Sequence, residues 1–194
     1  MNENLKDLIL SQMTGAVQDK LANRNKLDSA STSAAVEDAL TVILGGLQQN
    51  VKTKSGAQKL NTALTKDHDG SVLQDLAGAV TNGSLQSDGV KILTHIFGKQ
   101  KSAVTDNVSE KAGVSTSAAG DILSTLAPIV LGQLGKSKQS QGLDAGGIAD
   151  TILRQQLPKG SMTTLLTGFL DRDKDGQILD DLLDMGQGML GKKR

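Results

Sequence analysis

Apolar residues recur along this chain at helical spacing. Leu5, Leu8, Ile9, Met13, Ala16, Val17 and Leu21 trace the i, i+3, i+4 stripe of one amphipathic helix over residues 3–22. A polar connector from Lys26 to Ser33 follows. The next helix runs to about Asn50, with Val36, Leu40, Ile43, Leu44 and Leu47 on one side. Shorter helices are expected at 55–64, from Val72 onward, at 87–97 up to Gly98, and at 100–112 with Val104 and Val108 inward. The longest spans 115–134, burying Ile122, Leu123, Leu126, Ile129, Val130 and Leu134, with Pro128 as an expected kink. Gly135 to Gly147 reads as a linker. Residues 148–157 are helical up to Pro158, and 163–170 and 177–190 complete the chain. Nothing alternates with the period of a strand. The pattern predicts an all-α bundle of about nine or ten short helices in a single domain over 1–194.

The same pattern is written twice. Asp171-Arg172-Asp173-Lys174-Asp175-Gly176-Gln177-Ile178-Leu179-Asp180-Asp181-Leu182 is matched by Thr65-Lys66-Asp67-His68-Asp69-Gly70-Ser71-Val72-Leu73-Gln74-Asp75-Leu76. Leu40 to Leu47 likewise parallels Ala127 to Leu134, and Ser-Thr-Ser-Ala-Ala precedes both, at 31–35 and 115–119, with a three-residue difference in spacing. An internal pseudo-duplication is therefore expected, with halves at about 27–80 and 111–190 and an insertion at about 135–158.

The segments Asp88 to Gly98, Leu126 to Gly132 and Asp173 to Leu183 resemble the bacterial family called domain of unknown function 937. The stretch from Gly113 to Ala118 is similar to the YidB-like proteins. The resemblance extends over nearly the whole chain. It implies an all-helical bacterial protein and carries no catalytic residues with it.

Composition narrows the chemistry. Lys plus Arg equals Asp plus Glu at 21 each, so no global field draws polyanions. Phe97 and Phe169 are the only aromatic residues, which removes base stacking and sugar stacking. The absence of cysteine excludes disulfides, thiolate catalysis and Cys-ligated zinc. The acidic start lacks the basic region of a signal peptide, and the apolar runs are too short to cross a bilayer, so a cytoplasmic protein without membrane contact is expected.

Three places could still hold chemistry. Asp171, Asp173 and Asp175, with Gly176 at the turn and the Gln177 carbonyl, open like an EF-hand calcium loop. Leu182 stands where the bidentate Glu belongs, so Asp180 or Asp181 would have to complete the shell. In the Asp67/Asp69 copy, Thr65 replaces the leading acid, and helix capping is the expected role. Residues 108–123 resemble a helix-turn-helix with Gly113 at the turn and Ser115 as cap. Its second helix offers Ser, Thr, Ala, Gly and Asp121 rather than base-reading or phosphate-binding groups. His68 and His95 lack a second ligand at metal spacing, and no nucleophile or phosphate-loop motif occurs. The residues thus point to a non-enzymatic structural or protein-interaction module, self-associating or binding another protein, with calcium as its one candidate cofactor. The alternative is a DNA-binding protein using 108–123.

Overall fold

A computed structural model describes residues 4–13 and 15–157, and every regular element among them is helical. The N-terminal stripe is divided in two: α1 spans Leu5–Gln12 and α2 spans Gly15–Asn25. Met13 closes α1 by donating its N–H to the Ile9 and Leu10 carbonyls. The expected single helix therefore becomes a pair, with Leu5, Ile9 and Met13 buried from the first part and Val17 and Leu21 from the second.

Helix α3 (Ser29–Val51) starts where Asp28 accepts the Ser31 N–H at 2.8 Å. Then come α4 (Lys54–Lys66), a 3-10 turn over Ser71–Asp75, α5 (Leu76–Thr81), α6 (Ser84–Phe97) and α7 (Lys101–Ala112). Helix α8 (Thr116–Gln141) and α9 (Ala145–Leu153) follow. Most of the expected linker at 135–147 is thus the last turns of α8. Its polar residues lie on the solvent side while Gly135 stays buried.

Helices α3 and α8 are the core. They pack on each other, α6 packs on α8, and α7 packs on both. From Leu40 to Gln48, and from Ile122 to Gly135, every residue is buried. A helix buried on all faces is surrounded by other helices, and each fully buried Leu or Ile contributes about 1.5–3 kcal/mol. By length and composition α8 could cross a membrane, contrary to the expectation that no stretch could. In this fold 89% of that apolar stretch is covered by the protein itself.

Pro128 lies inside α8 and cannot donate to the Ser124 carbonyl. Gly89 of α6 lies against that freed carbonyl, so closely that a Cβ there would overlap it. Gly135 makes a similar approach to the His68 carbonyl. Glycine at these two positions is what lets α6 and the 67–70 turn sit directly on α8.

The corner between α2 and α3 matches the corner between α7 and α8. Leu27 N–H bonds to Ala22 O at 2.9 Å, and Val114 N–H to Ser109 O at 3.0 Å. Lys26 and Gly113 hold left-handed φ values of 55° and 65° before the caps Asp28 and Ser115. One constant offset relates these positions and also relates buried Val17 and Leu21 to Val104 and Val108. At that offset Leu40 falls opposite Ala127 and Leu47 opposite Leu134. The Ser-Thr-Ser-Ala-Ala phrases fall out of register: Ser31 is inside the first turn of α3, whereas Ser115 is the cap of α8.

Candidate functional site

The densest polar cluster among the described residues joins α2, α6 and α8. Arg24 donates through Nε and Nη2 to Asp121 Oδ2 at 2.9 and 2.7 Å, through Nη1 to the Val80 carbonyl at 2.7 Å, and through Nη2 to Thr125 Oγ1 at 2.7 Å. Asn25 Nδ2 donates to the same carboxylate oxygen at 2.9 Å, and Gln86 Nε2 to the other at 3.0 Å. Both charged side chains are only about a quarter exposed, at 27% and 23%. The planar guanidinium suits this multidirectional role, which a lysine could not fill. A signal existed in the sequence: in a chain that otherwise uses lysine, Arg24 is the only arginine before Arg154.

The pair does not have the form of a catalytic centre. Asp121 is occupied by three donors, and Arg24 spends its remaining donors on a main-chain carbonyl and a threonine. The cluster ties three helices and the end of α5 together.

Of the sequence-derived candidates, Asp171, Asp173, Asp175, Gln177, Asp180 and Asp181 lie outside the described residues. The first copy of the loop lies inside them. Asp69 Oδ1 accepts the Ser71 N–H at 3.0 Å, and Asp75 Oδ1 accepts the Gly78 N–H at 2.8 Å to start α5. The Ser71 backbone N–H, with help from its hydroxyl, holds the Asp69 carboxyl below its ordinary pKa. Asp67 closes α4, donating its N–H to Ala63 O. Gly70 takes φ 102° in the turn. No group of three metal-ligating acids or histidines occurs among the described residues. His68 lies 3.8 Å from Asp88 through Nδ1, as a side chain packed between the turn and α6.

The helix-turn-helix-like segment forms as expected, with Gly113 at the corner and Ser115 capping α8 by accepting the Ala118 N–H at 3.2 Å. Its second helix is the central core helix. From Ile122 to Gly135 it is buried on every side, so within the segment only the first turn of this second helix is accessible. Gln48 also has a part that sequence reasoning missed. Almost fully buried on α3, it donates to the Ile152 and Gln155 carbonyls at 3.0 and 2.9 Å and closes the end of α9. A polar cleft of about 610 Å³ opens between the start of α1, the end of α8 and α9, with Asn4, Ser137, Gln141, Asp150 and Arg154 in its wall.

These features define an all-helical bundle whose polar clusters among the described residues join and terminate helices. The chain belongs to the family described as bacterial protein of unknown function (DUF937), whose model matches residues 7–137. That match runs from within α1 to within α8 and ends before the Asp171 loop, so it is narrower than the resemblance drawn from the sequence. No curated protein and no solved structure matches the chain.

Proposed function

We propose that this protein is a non-enzymatic structural or interaction module that associates with itself. The observation that carries this reading is how its reactive-looking groups are used. Asp28, Asp69, Asp75, Asp144 and Ser115 each accept a backbone N–H at the start of a helix or turn, and Asp121 is consumed by Arg24, Asn25 and Gln86. Acids engaged in this way stabilise helix ends and are not free to move protons.

An internal duplication is part of the proposal. The matching corners and the constant offset between buried positions of α2–α3 and α7–α8 support it. So does the packing of α9 on α3 and of α4 on α8, each across to the other long helix. At the same offset α9 falls opposite α4, so the stretch expected as an insertion at about 135–158 supplies a counterpart instead. We also propose calcium at Asp171, Asp173, Asp175, the Gln177 carbonyl and Asp180 or Asp181, supported by the ligand spacing. The DNA-binding alternative through 108–123 would need a helix free to enter a groove, and the burial of α8 counts against it.

Sedimentation of the full chain over a concentration series tests the main reading. A mass that rises with concentration is expected. A strict monomer at the highest concentration would remove self-association.

A further inference from the structure

The junction between α2–α4 and α7–α9 is built like the interface of a twofold dimer. In such an interface residue i of one partner meets j of the other, and j meets i in return. The same rule holds here inside one chain. Arg24 of α2 reaches Thr125 of α8 at 2.7 Å, and Lys111 of α7 lies 4.0 Å from Asp38 of α3. Lys111 stands to Arg24, and Thr125 to Asp38, at the offset that relates the two corners. Likewise the His68 carbonyl meets α8 at Gly135, and the Gln155 carbonyl meets α3 at Gln48, there at 2.9 Å. The same offset carries His68 to Gln155 and Gln48 to Gly135. The helices follow this rule too. Both α2 and α4 pack on α8, while α7 and α9 pack on α3. Across the centre α3 meets α8 and α4 meets α9.

That junction is also where the apolar surface lies. Leu40, Ile43, Leu44, Leu126, Ile129 and Val130 are fully buried on its two long helices. Among the described residues, only Val90 and Leu153 are exposed large apolar side chains. Permanent dimer interfaces have the character of a domain core cut in half. The junction has that character, and the outer surface of the described bundle does not.

The link across the junction is short and exposed. Helix α5 packs on α2 and α6 packs on α8. Between α5 and α6, Thr81, Asn82, Gly83 and Ser84 are all exposed, and Gly83 turns the chain with φ 71°.

We propose that two copies exchange halves at this turn, so that α1–α5 of each closes on α6–α9 of the other. This rests on the self-association reading above and adds the surface and its occupant, a second copy. Every contact across the junction is remade between chains. Only the turn and the packing of α5 on α6 beside it change. Monomer and exchanged dimer therefore differ little in contacts, and concentration decides between them. The exchange is slow, because the buried packing of α3 on α8 must open first.

The test uses the full chain, prepared with ordinary and with heavy nitrogen. The two are mixed, partly unfolded in urea and returned to buffer at high concentration. Dimer and monomer are separated, treated with a zero-length carbodiimide that joins Lys111 to Asp38, and digested for mass spectrometry. Both side chains are open to the reagent, at 37% and 30% exposed. In the dimer this link should join light chain to heavy chain, and in the monomer it should stay within one chain. Dimers whose Lys111–Asp38 links all stay within one chain overturn the exchange while leaving self-association standing. A monomer under every condition removes both. Deleting Asn82 and Gly83 denies the chain its reversal, so the apparent dissociation constant should fall roughly tenfold or more. Inserting a long Gly-Ser stretch there should raise it. A deletion variant that keeps its helicity by circular dichroism and stays monomeric also overturns the exchange.

Discussion

Lys26 and Gly113 occupy the same corner of two helix pairs, both in the left-handed region, at φ 55° and 65°. Glycine adopts that backbone without strain, whereas a side chain costs roughly 1 kcal/mol. Lys26→Gly should therefore stabilise the protein by about 0.5–1 kcal/mol, and Gly113→Lys should destabilise it by a similar amount. Urea unfolding of both variants measures this. Equal and opposite shifts are expected if the corners are equivalent, and a loss from Lys26→Gly would show that its side chain has a separate role.

Arg24 and Asp121 give a second expectation. Removing either leaves the other partly buried without its partner, at about 2 kcal/mol. Because the two share one network, the double variant Arg24→Ala/Asp121→Ala should cost less than the sum of the single ones. Strict additivity would show that the pair is uncoupled.

Gly89 and Gly120 both lie inside helices but should respond oppositely to alanine. A Cβ on Gly89 overlaps the Ser124 carbonyl, so Gly89→Ala should lose about 1–3 kcal/mol despite alanine's better helix propensity. A Cβ on Gly120 meets only Thr105 Cγ2, at an ordinary 3.6 Å, so Gly120→Ala should gain up to about 1 kcal/mol. Thermal melts of the two variants separate these outcomes.

Acid should weaken the fold through its caps. The Ser31 backbone N–H and then its hydroxyl hold Asp28 below the ordinary 3.8, as Ser71 does for Asp69. A depressed folded-state pKa contributes stability above the unfolded value and loses it as pH falls through the folded one. Melting temperature should therefore drop as pH passes below 3.8. That acid limb should be shallower in Asp28→Ala and Asp69→Ala. An unchanged slope in both would remove the caps as its source.

Calcium should raise the melting temperature of the full chain if the Asp171 loop binds it, and chelator should reverse the rise. Asp173→Ala should abolish the shift. Asp67→Ala should leave it intact, because Asp67 closes α4 and its neighbour Asp69 is held by Ser71. Loss of the shift in both variants would give the first copy a share in binding.

Much of the helical layout was legible because apolar residues recur at helical spacing. Val17 and Leu21, and Val104 and Val108, face inward as that spacing requires. The break at Met13 was hidden, since the apolar stripe continues through it. The end of α8 is hidden in the sequence because Gly135 and the polar residues after it look like a linker. Gly135 is instead the price of a close backbone contact with His68. The Arg24–Asp121 network was illegible for another reason: its partners are far apart in sequence, and only the fold brings them together.

The burial of α3 on every side from Leu40 to Gln48 has a consequence for synthesis. Its core partner α8 lies far downstream, and chain growth proceeds at about 5–20 residues per second. For several seconds the face of α3 that α8 will cover has no native cover, while Leu40 to Leu47 are already made. Exposed apolar surface of this kind is what makes a folding intermediate prone to aggregate, and α8 is the element that removes it.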